Sequence, residues 1–541
     1  MLSEAVIFVT STGYSLLIEQ TSGFLSRPFV VLTVLFVVWY IWRLWRFTIS
    51  PLLNPEKPLD APYLVPFLGH TVGFLNNADR IIEAGLNTFG RSREPFAIRL
   101  VGERIYIITS PEDAATSAKN ATTFSWDSYL KRLLMGFGVT GDALDLAWHT
   151  PQPGETCYMR DNPFNPQQKN LIHLTEDIYK RQLLPGEELD KLTMSFISLI
   201  DYSLIWERLS GNYVRASSPT YKQISLKLFS RRIMTEAVTK AMFGDVLFDL
   251  EPELVDYLMT LNKNAWAVAF GCPKIFTPKL NHAIAKLSAA LETYMELPEE
   301  KRDGICWLID TMLKAQKITG IDQKDRVSMT LMVWWAALSN AVDMAFWIMS
   351  YLLFDGNLLE TVKEETAPAF DKHGNLHHKY LLEDCPRFES IFLEVLRLVN
   401  GALTVRKILA TTRIGTKVLE AGNTVIIPAR QLHLNEEVWG ANNYNFDPER
   451  FLKDPKLAGH NSYRPFGGGV TYCPGRFLAR SEICGFTAMI LKRFEVGLAT
   501  LPNGSPQEFP KLDISRPSIG VTGCVEGMDV LINVKPAKDD V

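Results

Sequence analysis

Apolar residues follow three rhythms along this chain. From Phe29 to Trp42 ("FVVLTVLFVVWYIW") every position but Thr33 is apolar, and Arg43 and Arg46 follow. Such a run predicts a helix that faces lipid on all sides, with Trp39, Tyr40, Trp42 and Trp45 at one interface. The earlier stretch 5–20 is broken by Thr, Ser and Gly and is the poorer span. A cleaved signal peptide is disfavoured, because the apolar core starts late and no small-residue cleavage site follows it. Glu4 and Glu19 precede the span while Arg43, Arg46 and Lys57 follow it, which puts the bulk of the chain on the cytosolic side. The prolines at 51, 55, 58, 62 and 66 then predict a stiff, extended connector rather than a helix. The expected organisation is a lumenal segment 1–27, a transmembrane anchor 28–46, a proline-rich linker 47–66 and one large domain over 67–541.

The second rhythm, apolar residues three to four apart, predicts helices near 186–209, 221–244, 279–294, 305–316, 387–399 and 477–492. Alternation is confined to short pieces at 96–109, 417–429 and 530–535. The expected fold class is therefore mostly α with small β-sheets. The third rhythm is the 327–354 segment, "VSMTLMVWWAALSNAVDMAFWIMSYLLF", 28 residues with Asp343 as their only charge. At about 1.5 Å per residue it is long enough to cross a bilayer. Ser339, Asn340 and Asp343 at its centre argue against lipid, where a carboxylate costs several kcal/mol. A helix crossing a large core, with its polar patch facing a cavity, fits better.

Composition narrows the function. With 47% hydrophobic and 21% charged residues in 541, the chain is a folded protein with a large core. A net charge of -4 and the lack of any basic run interleaved with aromatics argue against a nucleic-acid partner. Seven cysteines without CxxC spacing suggest neither a disulfide scaffold nor a zinc site.

Cys473 stands apart. It lies in "RPFGGGVTYCPGRFLA" (464–479), where Phe466, Gly467, Gly468, Gly469, Gly475 and Ala479 let the chain turn tightly, present one sulfur and enter a helix near Arg476. A thiolate at a helix N-terminus is favoured by the helix dipole and by nearby N–H donors. A phosphate loop is the alternative, but no GK[ST] follows.

This loop resembles the haem-binding loop of the cytochrome P450 monooxygenases. "EVLR" supplies Glu394 and Arg397 in the family's ExxR spacing, and "PERF" supplies Arg450 in the following meander. The resemblance covers nearly the whole domain and implies the P450 fold behind a single anchor, with 67–541 as a haem-binding catalytic domain. It implies haem b as cofactor with Cys473 as axial iron ligand, whose electron donation favours O–O cleavage. Phe466, Gly467, Gly469 and Gly475 would shape the loop, the glycines making room for the haem plane. Glu394, Arg397 and Arg450 would form a structural charge cluster. Arg406, His433 and Lys169 are candidates for the haem propionates; for the latter two an ordinary satisfied polar residue is the competing reading. Thr471 replaces the propionate donor that most members carry two residues before the cysteine. With "RLVNGALTVR" (397–406) it points to the branch of sterol 7-hydroxylases, sterol 12-hydroxylases and prostacyclin synthase.

In that family the long apolar helix activates oxygen. Ala336 and Ala337 take the small positions, Ser339 replaces the usual acid and Asn340 the threonine. Asn340 can orient a water by hydrogen bonding but has no acidic proton to give. Asp343, one turn on, is either a proton relay or a carboxylate paired with a cation on a neighbouring helix. Trp334, Trp335, Ala336, Ala337, Leu403 and Thr404 are the expected lining of a large apolar substrate cavity.

The function implied is an endoplasmic-reticulum monooxygenase, with a cytosolic catalytic domain, that oxygenates a terpenoid, sterol or polyketide in specialised metabolism. Its implied partners are membrane lipid, a lipophilic substrate and NADPH-cytochrome P450 reductase, through which NADPH acts indirectly. The rivals are a reductase-independent peroxide isomerase similar to prostacyclin synthase and a non-catalytic haem-binding protein.

Overall fold

The alternation at 96–109 folds as a hairpin, because Val101 and Gly102 both adopt positive φ (48° and 81°) and turn the chain between two strands. The computed structural model describes residues 29–155, 163–501 and 503–537, the side chain of Val470 excepted. The expected lumenal segment 1–27 and Cys157 lie outside the described residues, and the other six cysteines are free.

The strands, in chain order, are β1 (Leu59–Asp60), β2 (Phe96–Leu100), β3 (Glu103–Ile107), β4 (Phe124–Ser125), β5 (Val214–Ser217), β6 (Lys222–Ser225), β7 (Leu403–Ile408), β8 (Thr412–Ile414), β9 (Lys417–Leu419), β10 (Thr424–Pro428), β11 (Phe494–Leu498) and β12 (Leu531–Pro536). They form a six-stranded sheet ordered β1-β2-β3-β10-β7-β4, a four-stranded sheet ordered β11-β12-β6-β5 and the β8–β9 ribbon. Every residue of β10 is buried, as befits the strand that joins the parallel β3 pairing to the antiparallel β7 pairing.

The helices that matter for the site are α1 (Phe29–Leu53), α2 (Pro111–Lys119), α3 (Asp127–Phe137), α4 (Leu171–Leu183), α5 (Leu226–Phe243), α6 (Leu254–Ala269), α7 (Pro278–Glu296), α8 (Gln323–Leu338), α9 (Ala341–Leu353), α10 (Pro386–Val399) and α11 (Arg476–Arg493). One apolar cluster joins most of them, centred on α9, whose thirteen residues are all buried except Tyr351.

Three expectations need correction. The connector is helical up to Leu53: α1 accommodates Pro51, which has no N–H, by widening to π-type bonding over Trp45–Ile49. Residues 222–225 are strand, pairing Ile224 with Ile532, and the helix starts only at Leu226, capped by Ser225 Oγ on the Leu228 N–H (3.2 Å). The long 327–354 helix is broken at Ser339–Asn340. Among the described residues two helices are apolar and long enough to cross a membrane. In Gln323–Leu353 two thirds of the apolar window is buried in the protein, whereas in Phe29–Leu53 none is.

Candidate active site

The loop closes when the Cys473 N–H donates to the Phe466 carbonyl (3.1 Å), and α11 begins three residues later. The N–H groups of Gly475 and Arg476 point at the sulfur. Burial pushes the Cys473 thiol up, while those two donors and the Arg476 charge oppose the shift. Gly467 and Gly469 have φ of 78° and 66°, the left-handed region open to glycine. The room at two of the glycines is already taken by protein. A Cβ on Gly469 would lie 1.8 Å from the Ala118 carbonyl of α2, and one on Gly468 would lie 2.4 Å from the Arg464 guanidinium.

In the long apolar helix, side chains interrupt the backbone ladder. Ser339 Oγ donates to the Ala336 carbonyl (3.4 Å), and Asn262 Nδ2 of α6 takes the Ser339 carbonyl (3.1 Å). Trp335 Nε1 in turn holds Asn262 Oδ1 (3.2 Å). Asn340 Oδ1 accepts the Val521 N–H (2.8 Å), and its Nδ2 donates one hydrogen to Ser339 Oγ (3.2 Å), leaving the second for another acceptor. Between Val327 and Leu353 Ala336 and Asn340 alone are exposed, one turn apart on one face. Asn400 ties this break to the cysteine loop: its Nδ2 donates to the Pro465 carbonyl (2.7 Å), and its backbone bridges to Val521. Gly520 belongs to the same knot, since a Cβ there would sit 1.9 Å from Asn340 Oδ1. Asn262, Asn400, Gly520 and Val521 escaped the sequence reading; the glycine-spaced "SIGVTG" (518–523) was the one available hint.

Glu394, Arg397 and Arg450 meet as expected. Arg397 Nε and Nη2 each reach a Glu394 oxygen at 2.7 Å, and Arg450 Nε lies 3.1 Å from both. The remaining Arg397 hydrogens go to the carbonyls of His433 (2.8 Å), Asn443 (2.6 Å) and Asn445 (3.4 Å). All three side chains are buried, so the network is closed on itself.

The three propionate candidates separate. Arg406 is 3% exposed, donates to the Val405 carbonyl (2.8 Å) and to Thr471 Oγ1, and lies over the Trp126 ring (5.1 Å). Among the described residues no carboxylate pairs with it, and burial lowers its pKa to about 10. His433 is a correction: Nδ1 bonds the Arg397 carbonyl (3.1 Å) and Nε2 accepts the Arg464 N–H (2.9 Å). Both ring nitrogens are spent on backbone, and burial holds the ring neutral with a pKa of about 3. Lys169 is a second correction, its ammonium paired with Asp177 of α4.

Residues 214–521 match the family model described as Cytochrome P450. The chain belongs to the cytochrome P450 family. It is 24% identical to a cytochrome P450 monooxygenase, poxD, of Penicillium oxalicum, over 82% of this chain and 88% of that protein. It is 23% identical to cytochrome P450 7A1 of Oryctolagus cuniculus and 22% identical to cholesterol 7-alpha-monooxygenase of Cricetulus griseus. Each of these two alignments spans 86% of this chain and 91% of the relative. A retinoic acid-bound cyanobacterial CYP120A1 superposes with a TM-score of 0.62 at 19% identity, covering 89% of this chain and all of that one, which establishes the P450 fold. These relatives make the protein a P450 monooxygenase with a haem-iron cofactor and support the sterol-hydroxylase-like branch.

The residues of this P450 fit a haem. Among the described residues Arg406 is a buried cation without an anion, which fits a site where a haem propionate would complete it. Cys473 offers a sulfur already surrounded by donors, and Ala336 and Asn340 are exposed in an otherwise buried segment. One further expectation fails, and Asp343 takes the second of its two readings. Trp334 is wholly buried, its Nε1 on Thr239 Oγ1 (3.0 Å) of α5 and its ring against Phe243, so it packs core and lines no cavity. Asp343 is paired with Arg231 of α5 (3.3 Å) and buried, which leaves the relay reading without a free carboxylate. Trp335 packs against Phe137 of α3, and Leu403 is buried in the cluster beneath the six-stranded sheet with Thr404 half-buried beside it.

Proposed function

We propose that this P450 is anchored in the endoplasmic reticulum membrane by α1, with its catalytic domain cytosolic, and oxygenates a terpenoid, sterol or polyketide in specialised-metabolite biosynthesis. Electrons come from NADPH through NADPH-cytochrome P450 reductase. The observation that carries the reading is the paired exposure of Ala336 and Asn340 in a helix otherwise shut into the core. Haem, held by Cys473 and by Arg406 at a propionate, would supply the oxidising chemistry. Around it the chain's own residues divide the work. Ala336 contributes absence of bulk, so that a carbon skeleton can approach. Asn340 Nδ2 donates to a water or an oxygen acceptor while Val521 fixes its orientation. Protons must arrive through water, since neither Asn340 nor Ser339 carries an acidic one.

Membrane attachment is supported by more than α1. Leu64, Val65 and Phe67 in the connector and Ile275 and Phe276 between α6 and α7 are all more than half exposed. Phe74 packs on Phe270 (5.6 Å), which brings these two apolar segments to one side of the molecule.

The deciding experiment compares the full-length protein with Cys473→Ser. The wild type should give the thiolate-type reduced carbon-monoxide difference band and consume NADPH with reductase in a substrate-dependent way; the variant should do neither. Rearrangement of a hydroperoxide without reductase, and no substrate-stimulated NADPH consumption with it, would replace this reading by the isomerase.

A further inference from the structure

A second, polar cavity of about 500 Å³ lies where α1, the connector and the six-stranded sheet meet. Five cations line it, Arg46, Lys57, Arg99, Arg104 and Lys407, against three carboxylates. Its floor is an unbalanced knot. Asp60, whose side chain is 3% exposed, faces Arg46 in direct contact, Arg104 at 2.9 Å and Arg99 at 4.0 Å. Glu420 is shared between Lys57 (2.8 Å) and Arg104 (3.8 Å). Asp60 and the partly exposed Glu420 cannot neutralise three guanidiniums and Lys57, and among the described residues the Nε groups of Arg46 and Arg99 are buried without a hydrogen bond. The cavity is within the size range of small-ligand sites.

We propose that this cavity binds a phosphate-ester anion, supplied by the headgroup of an anionic phospholipid. Guanidinium forks match phosphate oxygens two at a time, and the excess of cations over carboxylates in the lining is what a phosphate would neutralise. Arg46 belongs to the last part of α1, just past the aromatic residues Trp39, Tyr40, Trp42 and Trp45, so the cavity mouth lies at headgroup depth. That placement rests on the anchoring reading above; the charge imbalance does not. The bound phosphate would lock α1 to the sheet and thereby set the tilt of the catalytic domain on the membrane.

The test uses full-length haem-loaded protein in phosphatidylcholine nanodiscs, followed by its thermal midpoint. Soluble sn-glycerol 3-phosphate is titrated in one arm, and part of the phosphatidylcholine is replaced by phosphatidic acid in the other. Either addition should raise the midpoint saturably. The Arg99→Gln/Arg104→Gln double variant should weaken the response about tenfold. Asp60→Asn, which removes the competing carboxylate and keeps every arginine, should respond at lower concentration than the wild type; a purely structural cluster would not gain affinity. A response to phosphatidic acid alone, lost in the double variant, supports the site with the bilayer as its source. A response to the glycerol phosphate alone, lost in the same way, supports the site and overturns the lipid source. The proposal falls if the wild type responds to neither, if the double variant responds in full, or if Asp60→Asn responds more weakly. Should the double variant lack the reduced carbon-monoxide band, Asp60→Asn decides. Failure to float with vesicles would sink the anchoring reading, and the glycerol-phosphate arm would still report on the cavity.

Discussion

Arg397 and Arg406 lie in the same "RLVNGALTVR" stretch, both with their side chains inside the protein, yet their guanidiniums are satisfied in opposite ways. Arg397 grips both oxygens of Glu394 and donates to two backbone carbonyls. Arg406 has one carbonyl, one hydroxyl and an aromatic face. The first belongs to a network that polypeptide alone completes. The second has no carboxylate partner among the described residues, and under the proposed function a haem propionate would meet it. Buried cations near a cofactor site therefore sort by whether a carboxylate of the same chain answers them.

Mutations can break that contrast. Glu394→Ala should be the most damaging, since it strands two buried guanidiniums; a loss of about 3–5 kcal/mol is expected, and a soluble, haem-loaded variant with an unchanged urea midpoint would refute the closed network. Arg406→Met should have a split effect. Apoprotein stability should be unchanged or higher, because an unpaired buried charge is gone. Haem release, followed by transfer to apomyoglobin, should quicken about tenfold for loss of one charge-assisted contact. Equal losses in apo and haem-loaded forms would mean that Arg406 is structural like Arg397.

Two buried titrating groups sharpen the picture through pH. His433 is depressed from 6.5 to about 3 by burial, so its contribution is complete above pH 6.5 and is lost as pH falls toward 3. Glu482 on α11 is raised from 4.5 to about 8 by burial, so its contribution is complete below pH 4.5 and is lost as pH rises through 8. His433→Gln should flatten the acid limb of the denaturant midpoint and Glu482→Gln the alkaline one, each by at most about 1.4 kcal/mol per pH unit. The smallest effect belongs to Asp343→Asn. Weakening its pairing with Arg231 should lower stability by about 1 kcal/mol with coupled turnover unchanged; a rise in uncoupled NADPH oxidation would restore the relay reading.

Much of the site was legible because its parts are local. The cysteine loop, the ExxR pair and the meander arginine each declare themselves within a few residues, and a helix carrying Glu394 and Arg397 one turn apart must place them on one face. The helix over 29–53 was legible because an unbroken apolar run is itself a local pattern. What misled the reading was partnership. His433, Lys169 and Asp343 have the right chemistry for propionate or proton work, but their partners, the Arg464 N–H, Asp177 and Arg231, have other segments of the chain to bring them there or no motif to announce them. Trp334 looked like cavity lining since helical spacing alone does not say which side of a buried helix is open.

Local pattern was enough for the fold class, the apolar N-terminal helix, the cysteine loop and the charge cluster, since each depends on residues close in sequence whose geometry one helical turn or one loop dictates. Tertiary structure alone decided that Asn340 is exposed while Asp343 is sealed against α5. It also decided that the C-terminal Gly520–Val521 turn orients the Asn340 amide, and that Asp60 gathers three arginines from α1 and the β2–β3 hairpin. These outcomes depend on long-range packing, where the energy of a polar group is set by whichever partner the rest of the chain delivers.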